Sequence, residues 1–163
     1  MTAAPIDEAL VQGHRSTVQE AWIDYNGHMN VAYYVLAFDQ ATDFFTDRVG
    51  LDAAYRESAN ASFFVVDMNV GYRRELGAGA PLLFTTQLLD FDRKRMRFFH
   101  TMLHAEERFV AATNEILTVH VDMTARRSSP MAESVLRALE ALSARQKHLP
   151  PPPEAGRVLG IRR

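Results

Sequence analysis

The stretch 31–49 constrains the fold more than any other part of the chain. Its apolar residues Val31, Tyr34, Val35, Phe38, Ala41, Phe45 and Val49 keep helical spacing. Tyr33, Leu36, Ala37 and Phe44 carry the apolar surface round to the other sides. A helix this greasy must be more than half surrounded by protein, and Gly50 is placed to stop it as the residue after the cap. The period then changes to two. Phe64, Val66, Met68, Val70 and Tyr72 alternate with Phe63, Val65, Asp67, Asn69 and Gly71, as in a strand. A turn at 77–81 leads to strands at 82–91 and 95–105, joined by Asp92-Arg93-Lys94. Glu106-Glu107 turns the chain into a last long strand at 108–122. Short links between consecutive strands imply an antiparallel meander.

The flanks are less regular. A first strand is expected at 15–22, and 51–60 reads as a short polar connection with a helical turn at most. Ser129-Pro130 has the form of a cap and a helix-starting proline, followed by an amphipathic helix carrying Val135, Leu136, Leu139 and Leu142. Residues 150–153 should form an extended polyproline tail, or a strap over a partner. The division is an N-terminal segment 1–14, a domain 15–128, and a helix with Pro-rich tail at 129–163. A strand, a buried helix and four antiparallel strands make an α+β fold in which a curved sheet grips one helix.

Composition removes several functional classes. With 163 residues, 47% of them hydrophobic, the chain can bury one sizeable core. A formal net charge of −2 argues against a nucleic-acid partner, which calls for a basic face. The absence of cysteine excludes disulfides, thiolate metal sites and a Cys nucleophile. The opening residues Met-Thr-Ala-Ala-Pro-Ile-Asp-Glu lack the basic and apolar regions of a signal peptide. No apolar run approaches the roughly 18 residues of a membrane span. A cytoplasmic protein with no membrane partner is the expectation.

The chemistry gathers in Trp22-Ile23-Asp24-Tyr25-Asn26-Gly27-His28-Met29-Asn30, directly before the long helix. Asn30 is an N-cap candidate, because its side-chain oxygen can accept from orphan backbone N–H groups. Backbone N–H groups at such an end favour negative charge. An acid, Asp24, beside a helix start that stabilises an oxyanion is half of an acyl-transfer site.

These residues resemble the hotdog thioesterases of the 4-hydroxybenzoyl-CoA thioesterase type. That pattern has an Asp three residues before Gly-His-(Val/Met)-Asn, then a helix with a Tyr and an acid. Asp24, Gly27, His28, Met29, Asn30, Tyr34 and Asp39 fall on those positions. An acid common two residues before the catalytic Asp is Trp22 here. Further on, Tyr72-Arg73-Arg74-Glu75 with Gly79-Ala80-Pro81 resembles the betainyl-CoA thioesterases of carnitine breakdown. So do Phe99-His100 with His104, and Ala112-Thr113-Asn114-Glu115 leading to His120-Val121-Asp122.

The resemblance implies a hotdog fold, an acyl-CoA substrate, and Asp24 as nucleophile or as the base that activates water. It also implies a backbone N–H near Val31 as oxyanion donor. His28 then either shapes the turn or touches substrate, and Asp39 is a second acid or a solvated one. CoA enters as part of the substrate, with no separate cofactor. Two copies are expected to join edge to edge as a homodimer, or as a dimer of dimers, building each site between them.

Other candidates have plainer readings beside them. His100 and His104 share a strand face, but their Cα atoms would lie roughly 13 Å apart, too far for joint ligation at about 2 Å per bond; no metal is called for. Arg73, Arg74, Arg93, Lys94 and Arg95 are either solvated hairpin charges or the grip on CoA phosphates. Trp22, Tyr25, Tyr33, Phe63 and Phe64 are core, or an aromatic cage for a trimethylammonium acyl group. The competing functions are a thioesterase for another short, branched or aromatic acyl-CoA, a non-catalytic acyl-CoA-binding hotdog, and a hotdog dehydratase. The Asp24 pattern favours the thioesterase over the last of these.

Overall fold

The computed structural model describes residues 6–161. Most of the opening octapeptide read for a signal sequence (residues 1–5), and the last two residues of the tail, lie outside the described residues. Helix α1 spans Val31–Arg48, close to the expected 31–49. Gly50 follows it with φ +85°, a left-handed conformation that a residue without Cβ adopts at no steric cost. Strands β2 (Ala61–Tyr72), β3 (Pro81–Phe91), β4 (Arg95–His104) and β5 (Val110–Asp122) follow. The sheet wraps the helix. Phe38 and Phe45 of α1 are fully buried, Phe38 edge-on to Phe84 and Phe45 against Phe98.

The strand order corrects the simple meander. Neighbours run β1-β3-β4-β5-β2, so β3, β4 and β5 form a meander while β2 crosses over to pair with β5. The link after β2 is held there by its own backbone, since the N–H groups of Arg73 and Arg74 both donate to Ala111 O. Strand β1 is Val11–Thr17 rather than 15–22. It pairs with Pro81–Thr86 of β3, and Glu20–Trp22 turns away as a single 3-10 turn. Residues 51–60 hold a full helix α2 (Ala53–Ala59), capped by the Asp52 carboxylate accepting from Tyr55 N–H at 2.8 Å. A two-residue strand β6 (Arg127–Ser128) adds to β5.

Helix α3 spans Glu133–Gln146, so Ser129-Pro130 does not cap it. Ser129 is spent elsewhere: His120 Nδ1–H donates to its carbonyl at 3.0 Å. At the other end of α3, buried Gln146 takes the place of a missing strand. Beyond the start of β1, β3 has no neighbouring strand on that side among the described residues, and Gln146 donates to Thr86 O and accepts from Leu88 N–H. The Pro-rich segment straps the chain's own sheet. Glu154 pairs with Arg73 at 2.9 Å, Gly156 N–H donates to Glu115 at 2.6 Å, and Arg157 donates to Asn69 Oδ1 at 2.6 Å.

One polar contact ties α1 to the sheet through the core. Fully buried His100 sits between Thr42 of α1 and Thr86 of β3. Thr42 Oγ1–H donates to Phe38 O at 2.9 Å, so it accepts from His100 Nε2–H at 3.0 Å. Nδ1 is left to accept from Thr86 Oγ1–H at 2.8 Å. The ring is held neutral, and burial, with a smaller effect from His14, pushes its pKa down to about 3.

Because the folded pKa is depressed, the unfolded chain takes up the proton first. The stabilisation is complete above about pH 6.5 and is lost as pH falls toward 3. His100→Gln should be less stable than wild type at pH 7 but flatter in its pH response. Between pH 6.5 and 4.5 wild type should lose about 2–3 kcal/mol more than the variant, at about 1.4 kcal/mol per pH unit. Urea titrations of both proteins across that range check this; parallel curves would mean that His100 carries no such linkage.

Candidate active site

The acidic turn is a miniature hairpin. Ile23 and Met29 form an isolated antiparallel bridge. Inside it Asp24 N–H donates to His28 O at 3.1 Å, and Gly27 N–H returns to Asp24 O at 3.0 Å. Gly27 has φ +83°, which explains why glycine stands there. The Asp24 carboxylate accepts from Asn26 N–H at 2.7 Å through Oδ1. The hairpin is anchored by Met29 N–H to Leu76 O and by Asn30 N–H to Trp22 O. The chain therefore enters α1 from a fixed turn with Asp24 near its tip.

Asn30 is the N-cap. Its Oδ1 accepts from Ala32 N–H at 2.9 Å, while its backbone is extended. Val31 N–H, at the first helical position, lies outside the helix's own hydrogen-bond ladder. His28 is half-exposed and reaches Glu75 at 3.3 Å, which fixes the far side of the turn. Tyr34 is buried and meets Tyr72 edge-on, and Tyr72 O–H donates to Val31 O at 3.4 Å. The far end of β2 is thus tied to the start of α1.

A cavity of about 340 Å³ opens from this helix end. Ala32, Leu36 and Asp39 form one wall; Met68, Asn114 and Ile116 form the other. Burial, reinforced by the neighbouring Asp43 carboxylate, raises the Asp39 pKa above the usual carboxylate value. Asn114 is fully buried, and neither atom of its amide has a hydrogen-bond partner among the described residues. Sequence reasoning passed over it as a candidate. The available signal was its phase, since Asn114 shares the inward face of β5 with Ala112, Ile116 and Thr118.

One chain brings only some of the expected residues together. Trp22 stacks on Tyr33 at 5.5 Å beside the acidic turn, and Tyr25 at its tip is 96% exposed. Phe63 and Phe64 sit at the start of β2, near the other end of α1. Phe63 packs into the cluster containing Phe45 and Leu139, and Phe64 has the Arg126 guanidinium 5.9 Å from its ring. Arg73 and Arg74 follow β2 near the turn; Arg73 is engaged by Glu154, and Arg74 lies 3.9 Å over the Phe109 ring. Arg93, Lys94 and Arg95 occupy the β3–β4 hairpin, one β4 length away, about 30 Å. There Arg95 pairs with Asp92 and Arg93 reaches Glu133. His104 accepts from Glu107 N–H and stacks on Phe109, so it and His100 have separate partners.

Residues 18–139 match the thioesterase-like superfamily. The chain belongs to that family. This thioesterase is 34% identical to the betainyl-CoA thioesterase of Pseudomonas aeruginosa, over 91% of its own length and 93% of the relative's. It is 39% identical to a fused L-carnitine dehydrogenase/betainyl-CoA thioesterase of Agrobacterium fabrum, over 88% of its length but 29% of that longer chain. A Staphylococcus aureus protein solved in complex with CoA superimposes with a TM-score of 0.88 at 28% identity, covering 99% of this chain and all of the other. The hotdog expectation therefore holds for the fold.

The cap generates a direct expectation for this thioesterase. Asn30→Ala should lower stability by about 1 kcal/mol, while Asn30→Asp, which still accepts from Ala32 N–H, should cost far less. Guanidinium denaturation of the three proteins checks this, and equal losses for both variants would remove the capping role.

Proposed function

We propose that this protein hydrolyses a short acyl-CoA thioester, with betainyl-CoA as substrate, to CoA and the free acid. The observation that carries this reading is the acidic turn, which sets Asp24 just before the N-terminal end of α1, whose first turn lines the cavity at Ala32. A thioester carbonyl placed at that helix end would have its developing oxyanion met by backbone N–H of the first turn, at Val31. Two routes serve Asp24. As a base it takes a proton from water, whose oxygen adds to the acyl carbon before the C–S bond breaks and the CoA thiolate leaves. As a nucleophile it adds to the acyl carbon, the C–S bond breaks to expel the CoA thiolate, and water then cleaves the resulting anhydride to the free acid and the Asp24 carboxylate. A carboxylate and water suffice, and CoA enters only as part of the substrate.

The similarity to betainyl-CoA thioesterases over nearly the whole chain supports the choice of acyl group and a place in carnitine metabolism. Two surfaces support a homodimer. Strand β2 is a twelve-residue sheet edge with no strand on the side away from β5 among the described residues; Arg157 of the strap reaches its backbone only near its end, at Val70 O, 3.1 Å. Val66, on that edge, is 55% exposed, and Leu36 and Met68 lie open beside the cavity. A long apolar edge of this kind calls for a covering strand. Pairing of β2 with β2 of a second copy closes the cavity and runs the partner's β2 antiparallel to this one. The partner's Phe63 and Phe64 then approach the Tyr72 end, where the acidic turn lies. A cytoplasmic location is part of the same proposal; no described helix is long and apolar enough to cross a membrane.

Asp24→Asn keeps the size and turn-forming ability of the side chain but removes the base or nucleophile. Its kcat should fall at least about a hundredfold, while a nonhydrolysable acyl-CoA analogue still binds. Thiol-release assays and calorimetry on the folded variant test this. Near-normal turnover would exclude Asp24, and with it the mechanism.

A further inference from the structure

We propose that the Asn114 amide reads the head of the acyl group and makes this site select a compact polar or cationic head over an alkyl group of the same shape. The inference rests on the thioesterase reading of the site and assigns a specificity-determining residue to it. Asn114 is fully buried in the middle of β5, and both Oδ1 and Nδ2 lack partners among the described residues. An amide left so bears the full loss of its hydration, and native interiors rarely tolerate one without a use for it. Its neighbour across the β4 pairing, His100, shows how this core treats a structural polar group, with both ring nitrogens satisfied. Asn114 is different because it lines the cavity that starts at Ala32, in the first turn of α1.

The rest of that cavity defines the guest. Leu36, Val65, Met68 and Ile116 give apolar walls suited to methyl groups. Among the described residues, the only ionisable group lining it is the Asp39 carboxylate, and no lysine or arginine lines it. An anionic acyl group meets repulsion there, and a plain alkyl group leaves the amide unpaired. A small cation wrapped in methyls fits the walls, places its charge near Asp39, and turns the free Asn114 oxygen toward itself. Neither amide atom is held by the protein, so the oxygen can rotate to the guest. This places the recognising groups on facing walls of the cavity, independent of the aromatics that one chain leaves apart.

The test compares betainyl-CoA with its neutral isostere, the CoA thioester of 3,3-dimethylbutyrate, using wild type, Asn114→Val and Asn114→Ser. Wild type should prefer betainyl-CoA by about tenfold or more in kcat/KM, through the attraction of the quaternary head for the amide oxygen dipole and the Asp39 carboxylate. In Asn114→Val the ratio should fall to within about threefold, through loss on the betainyl substrate with hydrolysis of the neutral one retained. Asn114→Ser keeps a smaller polar group and should fall between them, and it serves as the reporter if the valine variant does not fold. A purely structural Asn114 would change stability and scale both substrates equally; an unchanged ratio in the folded variants overturns the proposal. If wild type hydrolyses other acyl-CoAs but neither of this pair, both the betainyl assignment and the proposal fall. If it releases no thiol from any acyl-CoA, the thioesterase reading itself fails.

Discussion

The contact on which the structure depends is the burial of α1 in the concave face of the sheet. A helix apolar on nearly every side has to be enclosed, and a five-strand wrap closes only part of its circumference. Phe38 and Phe45 point into the sheet and are fully buried, while Val31 and Leu36 remain open beside the free β2 edge. The same geometry explains the rest of the chain. Helix α3 covers the end of the core around Phe45, and Gln146 completes β3 where β1 stops short. The Pro-rich strap pins the outer face near Arg73.

The site is a consequence of how the chain enters that helix. A hairpin of seven residues, anchored by Leu76 and Trp22 carbonyls, sets the Asp24 turn against the N-terminus of α1. Tyr72 and Tyr34 then join the same helix end to the far end of β2. The acid, the helix dipole and the cavity are therefore positioned by backbone contacts that also hold the fold. This coupling places the candidate site beside the exposed flank of α1 and the β2 edge.

Periodicity made α1 and the long strands legible to within a few residues, because each buries one repeating face. Pairing order was not legible: β2 goes to β5 because of the link anchored at Ala111, and spacing alone does not record such a contact. The start of α3 misled for a similar reason, since a distant histidine takes the Ser129 carbonyl. Asp24, Gly27 and Asn30 stood out because turn and cap chemistry is local. Arg93–Arg95 and Phe63–Phe64 looked like site material by composition, yet lie at the other end of the fold from Asp24 within one chain. Asn114 was hidden in plain alternation, where its phase placed it inward but nothing local revealed that it lacks a partner.

An apolar helix flank and the exposed Val65–Met68 stretch of the β2 edge meet at the site, which is why two chains joined at β2 are proposed as the working unit. The most direct measurement is sedimentation velocity run alongside thiol release for wild type and for Val66→Lys, which places a charge on the exposed edge. The wild-type particle should have twice the 18.4 kDa chain mass at every concentration that shows turnover. The variant should shift toward monomer, with activity lost in proportion. A folded monomer of either protein, with full turnover per chain, would contradict a dimeric working unit.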